Sequence, residues 1–396
     1  MKLIQRSYLQ TLLNIQNTPD IKVITGVRRS GKSKLLEAFT RELKKNPENN
    51  IIHINLIEEK NTPLLEAKPL YDCIKKHYKP EKHNIVCIDE IQLCKNFEKA
   101  ISWLHVTEKY DIYITGSNAF LLSSDLATLF TGRTFEIQIY PFSFAEYVKY
   151  YESEDIFAAF DEYLKWGGMA GSYNYKNPEQ KRKYVSDIYQ TLIVRDIKQK
   201  FSIKNSPLLD NLTSYLMDTT GCQTSLRKIA ETLNANGEKT NDKTISSYVE
   251  YLCNAFLFYR IRRYDIQGKR YLSTQDKYYL CDNSFRYARL GTKNMNYGRM
   301  LENIVAIELL RRGYEIYAGT LYTREIDFVA LKQDEKIYIQ VSDDISGEET
   351  FKREYTPLLA IHDAYPKLIL ARTHHETYDY EGIKIQDISR WLLDIA

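Results

Sequence analysis

The stretch "IKVITGVRRSGKSKLLEAFTREL", residues 21–43, decides the fold of the first part of this chain. An apolar, strand-like run ends at Thr25, and apolar residues at helical spacing resume after a short loop. That loop fits the pattern G-x-x-x-x-G-K-S from Gly26 to Ser33. A strand, a glycine-rich loop and a helix in this order predict a phosphate-binding loop of a P-loop NTPase.

The residue types in this loop suit a nucleoside triphosphate. Glycines let the backbone curl, so that successive N–H groups face the β-phosphate at a helix N-terminus. Lys32 neutralises β- and γ-phosphate oxygens, and Ser33 ligates Mg²⁺. For Arg28 and Arg29, contact with phosphate, contact with a partner subunit and simple solvation are all open. The predicted nucleotide-binding residues are Gly26, Arg29, Ser30, Gly31, Lys32 and Ser33.

Two further strand-like runs end in polar residues. The run "NIVCIDEIQ" ends in Asp89 and Glu90, an acidic pair that is costly at the tip of a buried strand unless it meets a cation and water. Asp89 is therefore predicted to hold Mg²⁺ together with Ser33, and Glu90 to polarise the attacking water. The run "YDIYITGSN" brings Ser117 or Asn118 beside the γ-phosphate, with a helix-capping turn as the alternative.

Length and composition limit the other possibilities. A chain of 396 residues is long enough for several domains, and its 27% charged and 43% hydrophobic residues are typical of a folded globular protein. A net charge of +3 gives no global signal for nucleic-acid binding. Six cysteines without CxxC pairs predict thiols in a reducing cytoplasm, and no apolar run is long enough to predict a membrane span.

The order of motifs carries a family resemblance. The chain reads GVRRSGKS, CIDEIQ, ITGSN, TGR, YPFSFAEY and then WGGM. This order resembles the bacterial and archaeal family of AAA+-type P-loop ATPases with a C-terminal restriction-endonuclease-like domain of unknown function. The resemblance covers essentially the whole chain. It implies that Ser117 or Asn118 lies at the position of the first sensor, and Asn118 is the residue predicted to act there. It also implies that Arg133 of TGR is an arginine finger reaching a neighbour's nucleotide; a surface arginine or an ion pair is the alternative.

The middle of the chain predicts two helical modules. A helical, aromatic segment broken at Gly167 and Gly168 is expected to form a lid, in which Arg195 either senses nucleotide or pairs with Asp196 on the surface. Two short amphipathic helices and a hairpin around "DIQGKR" then form a winged-helix pattern. Winged helices also serve as protein-contact modules, which is the alternative to DNA binding. The predicted DNA-binding residues are Lys239, Asn241, Lys243, Arg262, Arg263, Lys269 and Arg270.

The last segment resembles the PD-(D/E)XK nuclease fold. A helix carries Glu302, the strand of "REIDFVAL" carries Asp327, and the strand of "KIYIQVS" carries Gln340 and Ser342. In that fold carboxylates hold Mg²⁺ and a lysine steadies the transition state. Ser342 stands where the lysine is expected, and Lys336 lies too far along the strand for easy substitution. These residues therefore predict a vestigial nuclease site that does not cleave.

Together these patterns predict an α/β chain of four domains. They are a P-loop ATPase domain (1–145), a helical lid (146–205), a winged helix (206–290) and a nuclease-like domain (291–396). The expected activity is ATP hydrolysis with Mg²⁺, coupled to DNA binding or remodelling in a homo-oligomer, in the cytoplasm and without a membrane partner. A nucleotide-gated switch that binds protein partners is the first alternative, and an ATP-dependent nuclease is the second.

Overall fold

The computed structural model describes residues 4–116, 130, 132–268, 270–292 and 295–394, with the backbone only at residues 270 and 272–274. The chain separates into two compact units. The first comprises residues 1–139 together with residues 194–200, and the second comprises residues 140–193 and 201–396. No helix within the described ranges is long and apolar enough to cross a bilayer.

A parallel sheet forms the centre of the first unit. Its strands are β1 (Ile21–Thr25), β2 (Asn49–Asn55), β3 (His83–Asp89), β4 (Asp111–Thr115) and β5 (Thr134–Gln138). They lie in the order β2-β3-β4-β1-β5, so β4 separates β1 from β3. Every residue of β1 and β4 is buried, as expected for a parallel strand covered by helices on both faces. Because the strands are parallel, the carboxyl ends of β1, β3 and β4 meet at one edge.

The first helix of the first unit precedes β1, and the next three each follow a strand. They are α1 (Ser7–Asn14), α2 (Lys32–Leu43), α3 (Ala67–Lys76) and α4 (Phe97–Val106), with 3-10 turns at Glu59–Leu64 and Ile91–Leu93. Helices α3 and α4 bury Leu70, Ile74, Ile101 and Leu104 in one apolar cluster with the sheet. The first unit is thus an α/β fold with a parallel sheet, as the sequence predicts, and α2 begins directly after the glycine-rich loop.

The second unit contains most of the helices. They are α5 (Phe144–Tyr151), α6 (Ile156–Trp166), α7 (Pro178–Thr191), α8 (Ser206–Asp218), α9 (Leu226–Ala235), α10 (Asp242–Asn254), α11 (Asn283–Leu290), α12 (Tyr297–Arg311), α13 (Glu348–Leu359) and α14 (Ile388–Leu393). A 3-10 turn spans Ala170–Asn174. A π-helix, Leu192–Gln199, continues α7, and from residue 194 onward it belongs to the first unit. The two short helices predicted for the winged helix are present as α9 and α10.

A mixed sheet completes the second unit. Its strands are β6 (Phe258–Asp265), β7 (Arg270–Leu280), β8 (Glu315–Leu321), β9 (Arg324–Lys332), β10 (Glu335–Ser342), β11 (Lys367–Ala371), β12 (Tyr378–Tyr380) and β13 (Ile383–Asp387). The order is β12-β13-β11-β10-β9-β8-β6-β7. The β6–β7 hairpin, predicted as the wing of a winged helix, is part of this sheet, because β6 pairs in parallel with β8.

The two glycines of WGGM connect distant parts of the second unit. Gly168 N donates to Asp282 Oδ2 at 2.5 Å, and a Cβ at Gly168 would overlap the backbone of Phe142. At Gly167, with φ of 61°, a Cβ would overlap the Asp282 carboxylate. The predicted lid thus packs against residues assigned to the winged helix. The four-domain division remains a prediction, while the chain clusters into two units.

Candidate functional site

The glycine-rich loop packs against the backbone of Ile139, the residue that follows β5. Gly26 has a φ of 134°, and a Cβ there would overlap the Ile139 carbonyl oxygen, so a larger residue cannot occupy this position. Gly31, with a φ of 104°, is the N-cap of α2. The loop therefore turns directly into the helix, which leaves the first backbone N–H groups of α2 facing the space where phosphate would bind.

Lys32 lies inside this loop. Its side chain is buried, and Nζ donates to the Gly26 carbonyl at 2.8 Å and to the Val27 carbonyl at 3.1 Å. Burial lowers the pKa of Lys32 to about 8, with the charge of Glu90 acting in the opposite direction. A lysine held by carbonyl groups alone gains charge compensation when an anion arrives, so its environment suits a phosphate ligand.

Ser30 gives an independent indication that the loop fits phosphate. Its Oγ is buried, and within the described part of the chain it has no hydrogen-bond partner. The backbone around it is paired, since Ser30 N donates to the Val27 carbonyl at 3.2 Å and Arg6 Nη1 donates to the Ser30 carbonyl at 2.9 Å. A buried hydroxyl without a partner is costly, and a phosphate oxygen in the loop would satisfy it.

The predicted magnesium ligands come together at the carboxyl edge of the sheet. Ser33 Oγ donates to Asp89 Oδ1 at 3.1 Å, although 56 residues separate them along the chain. Thr115 Oγ1, at the end of β4, donates to the same carboxylate oxygen. Asp89 is 3% exposed, so a hydroxyl from each side orients a buried carboxylate. Residues Ser33 and Asp89 have the donor set that Mg²⁺ prefers.

Glu90 adopts an uncommon backbone conformation beside this pair. Its φ of 56° lies in the left-handed region, which costs energy for a residue with a side chain. Its N–H donates to Thr115 Oγ1 at 3.2 Å, and its carboxylate accepts from Gln92 Nε2. Thr115 is a residue that the sequence did not single out, although a threonine ending a buried strand was a visible signal. The predicted sensor Asn118 lies outside the described residues.

The remaining predicted ATP-site residues lie elsewhere. Arg29 is exposed and has a φ of 66°, so only its backbone belongs to the loop. The Arg133 carbonyl accepts from Ile21 N at 2.9 Å, at the amino end of β1. Arg133 is exposed there, about 16 Å along the strand from the phosphate-binding loop at roughly 3.3 Å per residue. It is not part of the nucleotide site of its own chain.

Arg28 has a partner that the sequence did not indicate. Its Nε and Nη2 donate to the two carboxylate oxygens of Asp196 at 2.9 and 2.7 Å. Asp196 is 5% exposed, while Arg195 points to solvent. The expectation of an Arg195–Asp196 surface pair is therefore wrong, because the π-helical segment turns Asp196 toward the loop and Arg195 away from it.

The predicted DNA-binding residues divide into exposed and structural groups. Lys239, Lys243 and Arg262 are exposed. Asn241 is the N-cap of α10, since its side chain accepts from Thr244 N at 2.9 Å.

One hairpin arginine, Arg263, is less available than the sequence predicts. Arg263 donates to Gln275 Oε1 at 3.0 Å and to Thr320 Oγ1 at 3.1 Å, so it joins neighbouring strands. Lys269 lies outside the described residues, and Arg270 is described by its backbone, which pairs with Asp265.

Three of the four predicted nuclease residues converge. Asp327 N donates to Gln340 Oε1 at 2.7 Å, and Asp327 Oδ2 accepts from Val341 N at 2.8 Å. Burial and the charge of Glu302 raise the pKa of Asp327. Ser342 Oγ turns away and donates to the Asp344 carbonyl at 3.1 Å. Within the described ranges no group of three or more histidine, cysteine or acidic side chains is placed to hold a metal ion.

Lys277 of β7 enters this cluster and was not foreseen. Its Nζ lies 2.7 Å from Glu302 Oε1 and 3.9 Å from Asp327 Oδ1, and it also pairs with Glu325. The side chain is 2% exposed. Burial acts to lower the pKa of Lys277, but the charges of the three carboxylates outweigh it and raise the pKa. Tyr279 OH adds a bond of 2.5 Å to Glu302 Oε1. The hairpin thus places a positive charge among these carboxylates, paired with the groups that would otherwise be free to hold a metal ion.

Lys336 lies outside the cluster: its Nζ is 3.9 Å from Asp363 Oδ2, beside the ring of Tyr338. The signal for Lys277 was its place in the run of residues 276–281, all of which are buried, where a lysine needs a counter-charge.

Two protein-family models match successive parts of the chain. An AAA domain model matches residues 18–148, and a model of a domain of unknown function matches residues 157–296. An uncharacterized protein of Haemophilus influenzae is 38% identical over 396 residues, covering 98% of each chain. One from Methanocaldococcus jannaschii is 28% identical over 81% of this chain and 74% of its own. AMPPCP-bound DnaA from Aquifex aeolicus aligns with a TM-score of 0.31 and 16% identity, over 62% of this chain and 85% of that one.

Proposed function

Because this chain belongs to the family of the Haemophilus influenzae relative and carries an AAA domain, we propose that it binds and hydrolyses ATP. The observation that carries this proposal is the approach of Ser33 Oγ to Asp89 Oδ1, at 3.1 Å, beside a loop that contains a buried lysine. A P-loop serine and a buried strand-end aspartate are the pair that holds Mg²⁺ in ATP-hydrolysing P-loop proteins.

Each residue then has a separate task. The backbone of residues 26–33 and the Lys32 ammonium bind the phosphates, and Ser30 Oγ donates to a phosphate oxygen. Ser33 and Asp89 would hold Mg²⁺, which supplies charge neutralisation for the transferred phosphoryl group. Glu90 accepts a proton from the attacking water, and Gln92 and the Glu90 backbone contact with Thr115 fix its position.

Nucleotide affinity should fall as the pH rises above about 8. Only protonated Lys32 attracts phosphate, and burial lowers its pKa to about 8. Nucleotide affinity should therefore be highest and constant below about pH 8, and it should decrease about tenfold for each pH unit above that value. Titrating a labelled ATP analogue between about pH 7 and about pH 10 measures this slope. Lys32→Arg keeps its charge throughout this range, so its affinity should not show the same decline; an equal decline would assign the effect to another group.

We further propose that hydrolysis is coupled to DNA. The features that support it are the exposed cations Lys239, Lys243 and Arg262. The competing proposal is a nucleotide-gated switch for protein partners, which the buried contact between Arg28 and Asp196 favours. Steady-state phosphate release with single-stranded, duplex and branched DNA separates the two. Turnover stimulated by DNA supports the first proposal, while tight nucleotide retention with negligible turnover supports the second.

Reversing Lys239, Lys243 and Arg262 to glutamate should weaken DNA binding strongly and flatten its salt dependence. Each DNA phosphate that is no longer neutralised should reduce the slope of log affinity against log salt by about 0.9. Gel-shift titrations at several salt concentrations give both quantities. The matched control reverses exposed lysines of the first unit, Lys75 and Lys109, and should bind as the wild type does. Unchanged affinity in the triple variant would favour the protein-partner proposal.

For Arg133 we propose a role in a neighbouring subunit of a homo-oligomer. Its exposed position at the amino end of β1 cannot serve the nucleotide of its own chain, but it is accessible to another copy. An arginine that completes a neighbour's site affects hydrolysis and not nucleotide binding. The test is ATP turnover per chain, measured at increasing protein concentration. Turnover per chain that rises with concentration in the wild type but not in Arg133→Ala supports this role.

A further inference from the structure

The contact between Arg28 and Asp196 joins the phosphate-binding loop to a segment far along the chain. Arg28 Nε donates to Asp196 Oδ2 at 2.9 Å, and Arg28 Nη2 donates to Asp196 Oδ1 at 2.7 Å. Two parallel hydrogen bonds of this kind make a stronger ion pair than a single contact does. Asp196 is 5% exposed. Within the described residues, Arg28 is the side chain that hydrogen-bonds this carboxylate, so the buried charge depends on it.

The segment that carries Asp196 has an unusual place in the chain. Residues 194–200 cluster with the first unit, whereas the residues before and after them belong to the second. Asp196 also lies within the π-helix Leu192–Gln199. Wider helical turns of this kind are rare and occur frequently at functional sites. This segment is therefore joined at both of its ends to residues of the second unit.

Asp196 is also part of the electrostatic environment of the nucleotide site. The charges of Arg28 and Asp196 both act on the pKa of Lys32, after burial as the largest cause, with Arg28 lowering it and Asp196 raising it. Arg28 is in turn attracted by Glu90. A triphosphate in the loop would bring several negative charges near a buried carboxylate. It would repel Asp196 and compete with it for Arg28.

We propose that Arg28 exchanges Asp196 for the nucleotide phosphates, so that residues 194–200 are held to the loop when it is empty and released when it is filled. This inference rests on the proposed ATP binding and adds its regulation. Asp196 is then a positioning residue, because it acts on the nucleotide through Arg28. The same exchange makes Asp196 a competitor of the ligand, which predicts an unusual result: removing its charge should strengthen nucleotide binding.

Hydrogen exchange of the full chain tests the release without any substitution. Amide exchange across residues 194–200 is compared without nucleotide, with ADP and Mg²⁺, and with a non-hydrolysable ATP analogue and Mg²⁺. Exchange in this segment should become about tenfold faster or more when either nucleotide is bound, because both charge-assisted hydrogen bonds of the forked pair are broken. Adenosine, which lacks phosphate, should have no effect.

Asp196→Asn provides the second arm. In this variant the amides of residues 194–200 should exchange fast both with and without nucleotide. Calorimetry should show a nucleotide Kd about tenfold below that of the wild type. The matched control is Asp187→Asn, an exposed aspartate in the preceding helix, which should change neither quantity. Nucleotide that binds the wild type without altering exchange in residues 194–200 overturns this inference alone. A wild-type chain that binds no nucleotide overturns the proposed function as well.

Discussion

Replacing Lys277 with methionine should lower the free energy of unfolding of the second unit by about 3–5 kcal/mol, the usual cost of leaving a buried charge without its partner. The ammonium is 2% exposed and faces the carboxylates of Glu302, Glu325 and Asp327. Methionine fills a similar volume, so the decrease reports the charge and not a cavity. Denaturant unfolding followed by circular dichroism, with the transition of the second unit fitted separately, measures the change.

Two controls make this result specific. Lys384→Met removes an exposed lysine from β13 of the same sheet and should shift stability by less than about 0.5 kcal/mol. Lys277→Met combined with Glu302→Gln removes a charge of each sign and should recover part of the stability. A decrease below about 1 kcal/mol in Lys277→Met would contradict the account of Lys277 as the counter-charge of this cluster. We propose that this cluster is an internal ion network and does not cleave DNA, because the Lys277 ammonium already pairs with the carboxylates that would otherwise hold Mg²⁺.

Replacing Glu90 with glutamine should reduce steady-state ATP turnover about 10²- to 10⁴-fold while ATP remains bound, because a general base contributes that much to the rate. Glutamine has the same shape but cannot accept the proton of the attacking water. Phosphate release gives turnover, and equilibrium binding of a labelled analogue shows that the site still fills. Glu42→Gln, in α2 with a side chain 41% exposed, is the matched control and should hydrolyse normally. Turnover at the wild-type rate in Glu90→Gln would remove Glu90 from the role of base.

The parts of the site that the sequence predicts are those encoded locally. Gly26, Lys32 and Ser33 belong to one loop whose backbone is dictated by its own glycines. Asp89 could be added because a buried strand rarely ends in an acidic residue without a reason. To predict that Ser33 and Asp89 lie close together, it was enough to assume that the carboxyl ends of two parallel strands lie at the same edge of the sheet. The 3.1 Å contact between Ser33 and Asp89 agrees with this assumption.

The parts that sequence reasoning missed depend on pairings between distant residues. Asp196 lies 168 residues from Arg28 along the chain, and no sequence pattern near either residue predicts their contact. Lys277 joins the acidic cluster because β6 pairs with β8 and thereby brings the hairpin into the sheet. The local pattern of two helices and a hairpin is the same for a free wing and for a strand pair inside a larger sheet. The apolar residues around Lys277 indicated that its side chain is buried, but not which strands lie beside it.

The measurement that tests the central claim most directly is binding and hydrolysis of ATP by the purified full-length chain and by its Lys32→Ala variant, with Mg²⁺ present. The wild type should bind ATP and release phosphate continuously. Lys32→Ala should lose binding, because the buried ammonium supplies the charge that the phosphates meet in the loop. A wild-type chain that neither binds ATP nor releases phosphate, or a Lys32→Ala variant that binds and hydrolyses ATP as well as the wild type, would contradict the account.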